Sequence, residues 1–151
     1  MALTRLKKLA IATSLSAMIA GCADTTGPPK GLEFAAATFT CGPTDGPAIA
    51  IYLAPEPIES LNPPLPYVRL HVNRSLDQAA GESWARVGTD EGGAWRHTPI
   101  PEVEFATVGG IRIDEVEADN TIRGRVDVDF PSGRVVGEFR AEWFDRTVLC
   151  G

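Results

Sequence analysis

The 151-residue chain is short of the residues that most catalytic and metal sites draw on, with three cysteines, two histidines and 7% aromatic side chains. His71 and His97 stand too far apart for a zinc-ligand pair, and neither HExxH nor CxxC occurs. Beyond residue 21 the serines are Ser60, Ser75, Ser83 and Ser132, none within a GxSxG elbow, so no nucleophile is marked out for hydrolysis. The doublets Gly92-Gly93 and Gly109-Gly110 lack the spacing and the following helix of a phosphate-cradling loop. Glu115-x-Glu117-x-Asp119 begins like a calcium loop, but Asn120 stands where glycine is needed and Val126 where the bidentate glutamate belongs. No metal and no cofactor are expected, and an enzyme is the least favoured reading.

Long hydrophobic runs are also missing. The uncharged stretch Leu9–Ala20 holds twelve residues, well below the roughly 20 that cross a bilayer as a helix. It follows a start that carries Arg5, Lys7 and Lys8 without an acid, and it leads into small residues, which is the pattern of an export signal. Ile19-Ala20-Gly21-Cys22 resembles a bacterial lipobox. The resemblance implies cleavage before Cys22, acylation of that cysteine, and attachment to a membrane of the cell envelope. Several acyl chains give stable tethering, where one would be marginal. Ala23, in place of an aspartate, implies transfer to the outer membrane in a Gram-negative cell. The expected organisation is a signal peptide over 1–21, a lipidated cysteine and linker over 22–31, and a folded domain over 32–151.

Cleavage would leave 11 basic residues against 20 acidic ones, a formal charge of −9. Such a chain is repelled by nucleic acid and by anionic lipid, so nucleic acid is not an expected partner. Two cysteines remain once Cys22 carries lipid, and in an exported chain Cys41 and Cys150 are expected to form a structural disulfide that closes nearly the whole domain.

From Leu32 onward apolar residues alternate with polar ones between Gly, Pro and Asp, which predicts an all-β domain. The expected strands are 32–40, 48–53, 67–73, 84–87, 103–108, 110–116, 121–130 and 135–144. One helical turn, 76–80, is expected after Ser75, with Gln78 completing a capping box. The five prolines of 54–66 make that segment a loop or an edge. On the strand at 67–73, Val68, Leu70 and Val72 face inward, while Tyr67, Arg69 and His71 share the opposite face.

The C-terminal hairpin has the clearest pattern. Ile122, Gly124, Val126, Val128 and Phe130 share a face, as do Val135, Gly137, Phe139, Ala141 and Trp143, so the loop must hold an even number of residues. A loop over 131–134 pairs Phe130 with Val135 and Gly124 with Ala141, at the cost of facing Arg125 with Arg140 and Asp127 with Glu138. The segment GRVDVDFPSGRVVGEFRAEW, Gly124 to Trp143, is similar to the last hairpin of small bacterial lipoproteins of unassigned activity, with its Gly-x-Phe-x-Ala strand before an aromatic residue. Those chains close on a cysteine just after the aromatic, whereas Cys150 sits a few residues further on. The resemblance covers only the C-terminal end of the chain. It implies a single antiparallel β-sandwich or calycin-like barrel of about eight strands and implies no activity.

The large rings of the middle third supply the candidate contact residues Tyr67, Trp84, Trp95 and His97, since flat side chains give contact area at low entropic cost. The leading expectation is a non-enzymatic, lipid-anchored β-domain that has a structural role in the envelope or engages a partner protein there. The alternative is a binder of a small apolar ligand or lipid, in which Gly124, Gly137 and Ala141 leave room inside a barrel.

Overall fold

A computed structural model describes residues 26–81, 84–100 and 102–150. The leader and Cys22 lie outside the described residues. The described chain forms nine strands and one helical turn: β1 (Phe34–Cys41), β2 (Pro47–Ala54), β3 (Tyr67–Val72), α1 (Leu76–Ala79), β4 (Ala85–Arg86), β5 (Gly92–His97), β6 (Val103–Phe105), β7 (Val108–Val116), β8 (Ile122–Phe130) and β9 (Gly133–Trp143). Ser75 precedes the turn, but its side chain makes no capping hydrogen bond, contrary to the expected capping box.

The strands lie in one curled sheet in the order β4-β7-β8-β9-β1-β2-β3-β5-β6, forming a half-barrel. The sheet is mixed rather than purely antiparallel. β1 and β9 run parallel, with Ala36 opposite Glu142 and Ala37 opposite Trp143. The C-terminal tail supplies the geometric reason. A β9 parallel to β1 sends the chain toward the end of β1, where Cys150 bonds Cys41 across a separation of 109 residues. Thr38 Oγ1 donates to the Phe144 carbonyl at 2.8 Å and pins the start of that tail.

Alternation sets the inner face. Val68, Leu70 and Val72 of β3 are buried opposite Leu53, Ile51 and Ile49 of β2. They share one core with Ile111, Ile122, Val126, Val128 and Phe139 from the other half of the sheet. At the turn between β8 and β9, Arg96 of β5 crosses from one half to the other. Its guanidinium lies 4.6 Å from the centroid of the Phe130 ring and donates to Ser132 Oγ, which in turn donates to Glu104.

Three expectations need correction. The 131–134 loop shrinks to Pro131-Ser132, with Phe130 opposite Gly133, so the whole pairing shifts by two residues and keeps the even count. Charge favours the shift on balance, although it sets Arg123 opposite Arg140, each of which pairs instead with an acid of the neighbouring segment, Glu115 and Glu117. In the observed register Arg125 faces Glu138 and Asp129 faces Arg134, and Arg134 also forms a bidentate pair with Asp127 at 2.8 and 2.7 Å. The strand expected over 103–108 divides into β6 and the start of β7. Strand β5 covers a segment expected to be loop. Its glycines are sites of close approach: a Cβ at Gly92 would lie 2.6 Å from the His71 carbonyl oxygen, and one at Gly93 would lie 2.6 Å from the Trp95 ring.

The segment after Thr26, expected as a tether, is packed against β9. Glu138 N donates to the Gly27 carbonyl at 2.7 Å, and Pro29 is fully buried. A Cβ on Gly137 would lie 2.6 Å from Pro29 N, so a glycine there makes this docking sterically feasible.

Candidate ligand-binding face

Strands β2, β3, β5 and β6 pair in register, so alternate residues on their outer face fall into rows across the sheet. One row runs Tyr52, Arg69, Trp95, Phe105, each directly opposite the next. The neighbouring row runs Ala50, His71, Gly93. Small residues in the second row leave space that rings of the first occupy, and the benzo ring of Trp95 fills the space a Cβ on Gly93 would need. Tyr67 and His97, a directly opposed pair, stack with ring centroids 4.4 Å apart and planes within 15°.

The rings form a connected array. Tyr52 and Tyr67 are 6.0 Å apart, His71 and Trp95 are 5.8 Å apart, and Trp95 and Phe105 are 6.4 Å apart in an edge contact. The Arg69 guanidinium sits between two of them, 6.0 Å from the Tyr52 centroid and 5.6 Å from that of Trp95. These separations place it within reach of cation–π attraction. Among the described residues the Arg69 side chain has no ion pair and no hydrogen bond, and its buried Nε has no acceptor. The opposite half of the sheet differs. On the outer face of β7–β9, Arg112 and Arg125 contact Asp114, Arg123 contacts Glu115, Arg134 contacts Asp127, and Arg140 contacts Glu117.

Two further polar atoms of the face lack partners, His71 Nε2 and Asn73 Oδ1. Both residues line a hollow of about 240 Å³ beside Trp95 and Phe105. Burial, and then the positive Arg69, push His71 down to about 4, so the ring is neutral at ordinary pH. The same two causes lower His97. Burial, followed by neighbouring Tyr52, raises Tyr67.

Of the four candidate contact residues, Tyr67, Trp95 and His97 come together on this face. Trp84 does not join them. It lies next to β4, with its Cβ 3.2 Å from where a Cβ on Gly110 would stand, on the other half of the sheet. Sequence reasoning missed Tyr52, Arg69 and Phe105 as members of the site. The alternation of YVRLHV already placed Arg69 beside Tyr67. The expected strands leave 88–102 outside any strand, which hides the one that brings Trp95 opposite Arg69.

Gly124 and Gly137, expected to open an internal cavity, leave no such space. The Phe139 ring occupies the room at Gly124, and the Gly27–Pro29 backbone occupies it at Gly137. A cleft of about 440 Å³ does open at the rim of the half-barrel, lined by Pro29, Leu32, Tyr67, Val68, Arg96 and Val135 among others. Ser132, the serine nearest that cleft's cations, is bonded to Arg96 and Glu104 rather than to a histidine. Comparison of the chain with protein-family models, with curated proteins and with solved structures finds no match.

Proposed function

We propose that this chain is a lipid-anchored, non-enzymatic binding domain of the bacterial cell envelope, held to its membrane through acyl chains on Cys22 and working through the aromatic face of β2, β3, β5 and β6. The observation that carries the reading is the row Tyr52–Arg69–Trp95–Phe105, with Arg69 left without a counter-charge among the described residues. Half-buried Tyr67, Trp95 and His97 and exposed Phe105, grouped around a cation with buried Tyr52 packed beside it, are what a binding surface presents. Phe105 keeps 62% of its surface exposed at the end of that row, on the edge strand β6.

The curled sheet is read here as a flattened barrel. Gly88 N donates to the Gly92 carbonyl, and Thr107 N donates to the Asp129 carbonyl at 2.9 Å, so the two ends of the strand order approach each other. A second reading, a small apolar ligand, draws support from the 440 Å³ cleft at the rim; its place would then be that cleft and not the barrel interior.

The experiment is fractionation of cells expressing the full chain with a photo-crosslinking amino acid at position 105. The expected result is a membrane-bound chain that yields a discrete adduct, and release from the membrane on C22A. A C22A chain that still sediments with membranes defeats the anchor. An uncrosslinked residue 105, with adducts formed instead from a probe at position 125 on the far face, defeats the surface assignment.

A further inference from the structure

We infer that the aromatic face binds a short glycan carrying an isolated carboxylate, with the sugar ring stacked on Trp95 and the carboxylate on Arg69. This rests on the reading of that face as the working surface. Three features of the face specify the ligand.

The first is shape. Gly93, lacking a Cβ, makes room for the benzo ring of Trp95 beside it, and the half-buried indole keeps part of its surface open to a ligand ring. The accessible part of the row, from Arg69 to Phe105, crosses two strand spacings, about 10 Å at ~4.8 Å per strand, with Tyr52 buried beside Arg69. That is a shallow, extended strip, suited to a chain of flat rings and too open to enclose a small apolar molecule.

The second is charge. Arg69 is held between Tyr52 and Trp95, so its planar fork is oriented before any ligand arrives. A pre-oriented guanidinium without a partner favours a carboxylate, which it can meet with two parallel hydrogen bonds. No carboxylate of the described residues pairs with it. With residues 1–21 removed the chain has a formal charge of −9. Beyond a Debye length of about 8 Å that charge is screened, so a single carboxylate is admitted while a dense polyanion is opposed along its length.

The third is polarity at the other edge of the platform. The hollow beside Trp95 holds His71 Nε2 and Asn73 Oδ1, both buried and unpartnered. Unmet buried polar atoms carry a desolvation cost, which a side-chain rotation toward a ligand hydroxyl in the hollow, able to donate and to accept, would relieve. A ring on Trp95 thus has a cation at one edge and hydroxyl partners at the other. An acidic peptide would draw its affinity from main-chain pairing along the edge strand β6, which is three residues long and lies two strands away from Arg69.

The test uses the full chain, produced with export and purified intact. Calorimetric titration compares aldotetraouronic acid, in which one glucuronate decorates xylotriose, with neutral xylotetraose. The expected result is tighter binding of the acidic sugar, with R69Q weakening it about tenfold and leaving the neutral sugar unchanged. W95A weakens both sugars. Equal binding of both by the parent chain, or R69Q without effect, overturns the carboxylate assignment. An acetylated acidic hexapeptide or polygalacturonate that binds better than the aldouronic acid overturns the assignment to an isolated charge on a glycan. If no saccharide binds while residue 105 still crosslinks an envelope component, the glycan inference falls and the surface reading stands. If both fail, both fall. Unchanged far-ultraviolet circular dichroism of R69Q and W95A separates lost contact from lost fold.

Discussion

The ring of Phe139 on β9 lies against Gly124 on β8, its directly opposed partner, in the space a side chain at Gly124 would need. A Cβ there would stand 2.6 Å from the ring and 2.2 Å from the Arg112 carbonyl oxygen of β7. The ring can move, but the carbonyl is fixed in the β7–β8 ladder. G124A is therefore expected to cost about 1–3 kcal/mol, the usual range for overpacking. Urea unfolding checks it. Adding F139L to G124A should recover only part of the loss, because the carbonyl clash remains; full recovery would show that the backbone contact is unimportant.

The Cys41–Cys150 bond closes a loop of 109 residues. The chain-entropy model assigns such a loop roughly 4–5 kcal/mol. The bond also holds the tail alongside β1, where Thr38 is bonded to Phe144. Unfolding with and without a thiol reductant should show the reduced chain less stable by about 2–5 kcal/mol. An unchanged midpoint in a chain whose thiols are shown to be free would contradict this.

Gly137 carries the N-terminal segment. A Cβ there would meet Pro29 N at 2.6 Å and the Gly27 carbonyl oxygen at 2.8 Å. G137A is expected to lift the segment from Gly27 to Pro29 off β9 while leaving the β8–β9 ladder in place. Hydrogen exchange reads this directly, as faster exchange of the Glu138 amide, which donates to Gly27. Protection of that amide equal to the parent's would show that the segment accommodates the methyl group.

His71 makes stability depend on pH. Above its ordinary value of 6.5 the ring is neutral in both folded and unfolded chains and contributes no slope. Between 6.5 and about 4 the unfolded chain binds a proton that the folded one refuses, so stability falls as pH falls through that window. His97, lowered by the same causes, acts in the same direction. Thermal unfolding of the parent and of H71Q from pH 7 to pH 4 should show a shallower decline for H71Q. Parallel profiles would mean that His71 titrates normally in the folded chain.

Much of the fold is legible from local pattern. The alternation of Val68, Leu70 and Val72 with Tyr67, Arg69 and His71 assigned both faces of β3 correctly, because side chains on a strand point alternately to opposite sides. The same rule demanded an even-numbered hairpin loop, and the observed loop of two residues satisfies it. It could not choose between loops of two and four. That choice belongs to pairing, where facing Arg125 with Glu138 is better than facing it with Arg140. β5 was illegible for a related reason. Glycine usually weakens a strand, and only the neighbouring His71 carbonyl and the Trp95 ring show why Gly92 and Gly93 belong in one.

By itself the sequence determined that this chain builds strands, which residues those strands bury, and that Cys41 and Cys150 would be bonded, since period-two patterning and an even pair of cysteines act locally or by count. Tertiary structure alone decided the parallel β1–β9 pair, the docking of Pro29 against Gly137, and the row that sets Arg69 between Tyr52 and Trp95. Those depend on which strands become neighbours and in what register. Residues far apart in the chain carry no mark that they will stand opposite one another; only the whole sheet, curling so that both of its halves share one core, brings them there.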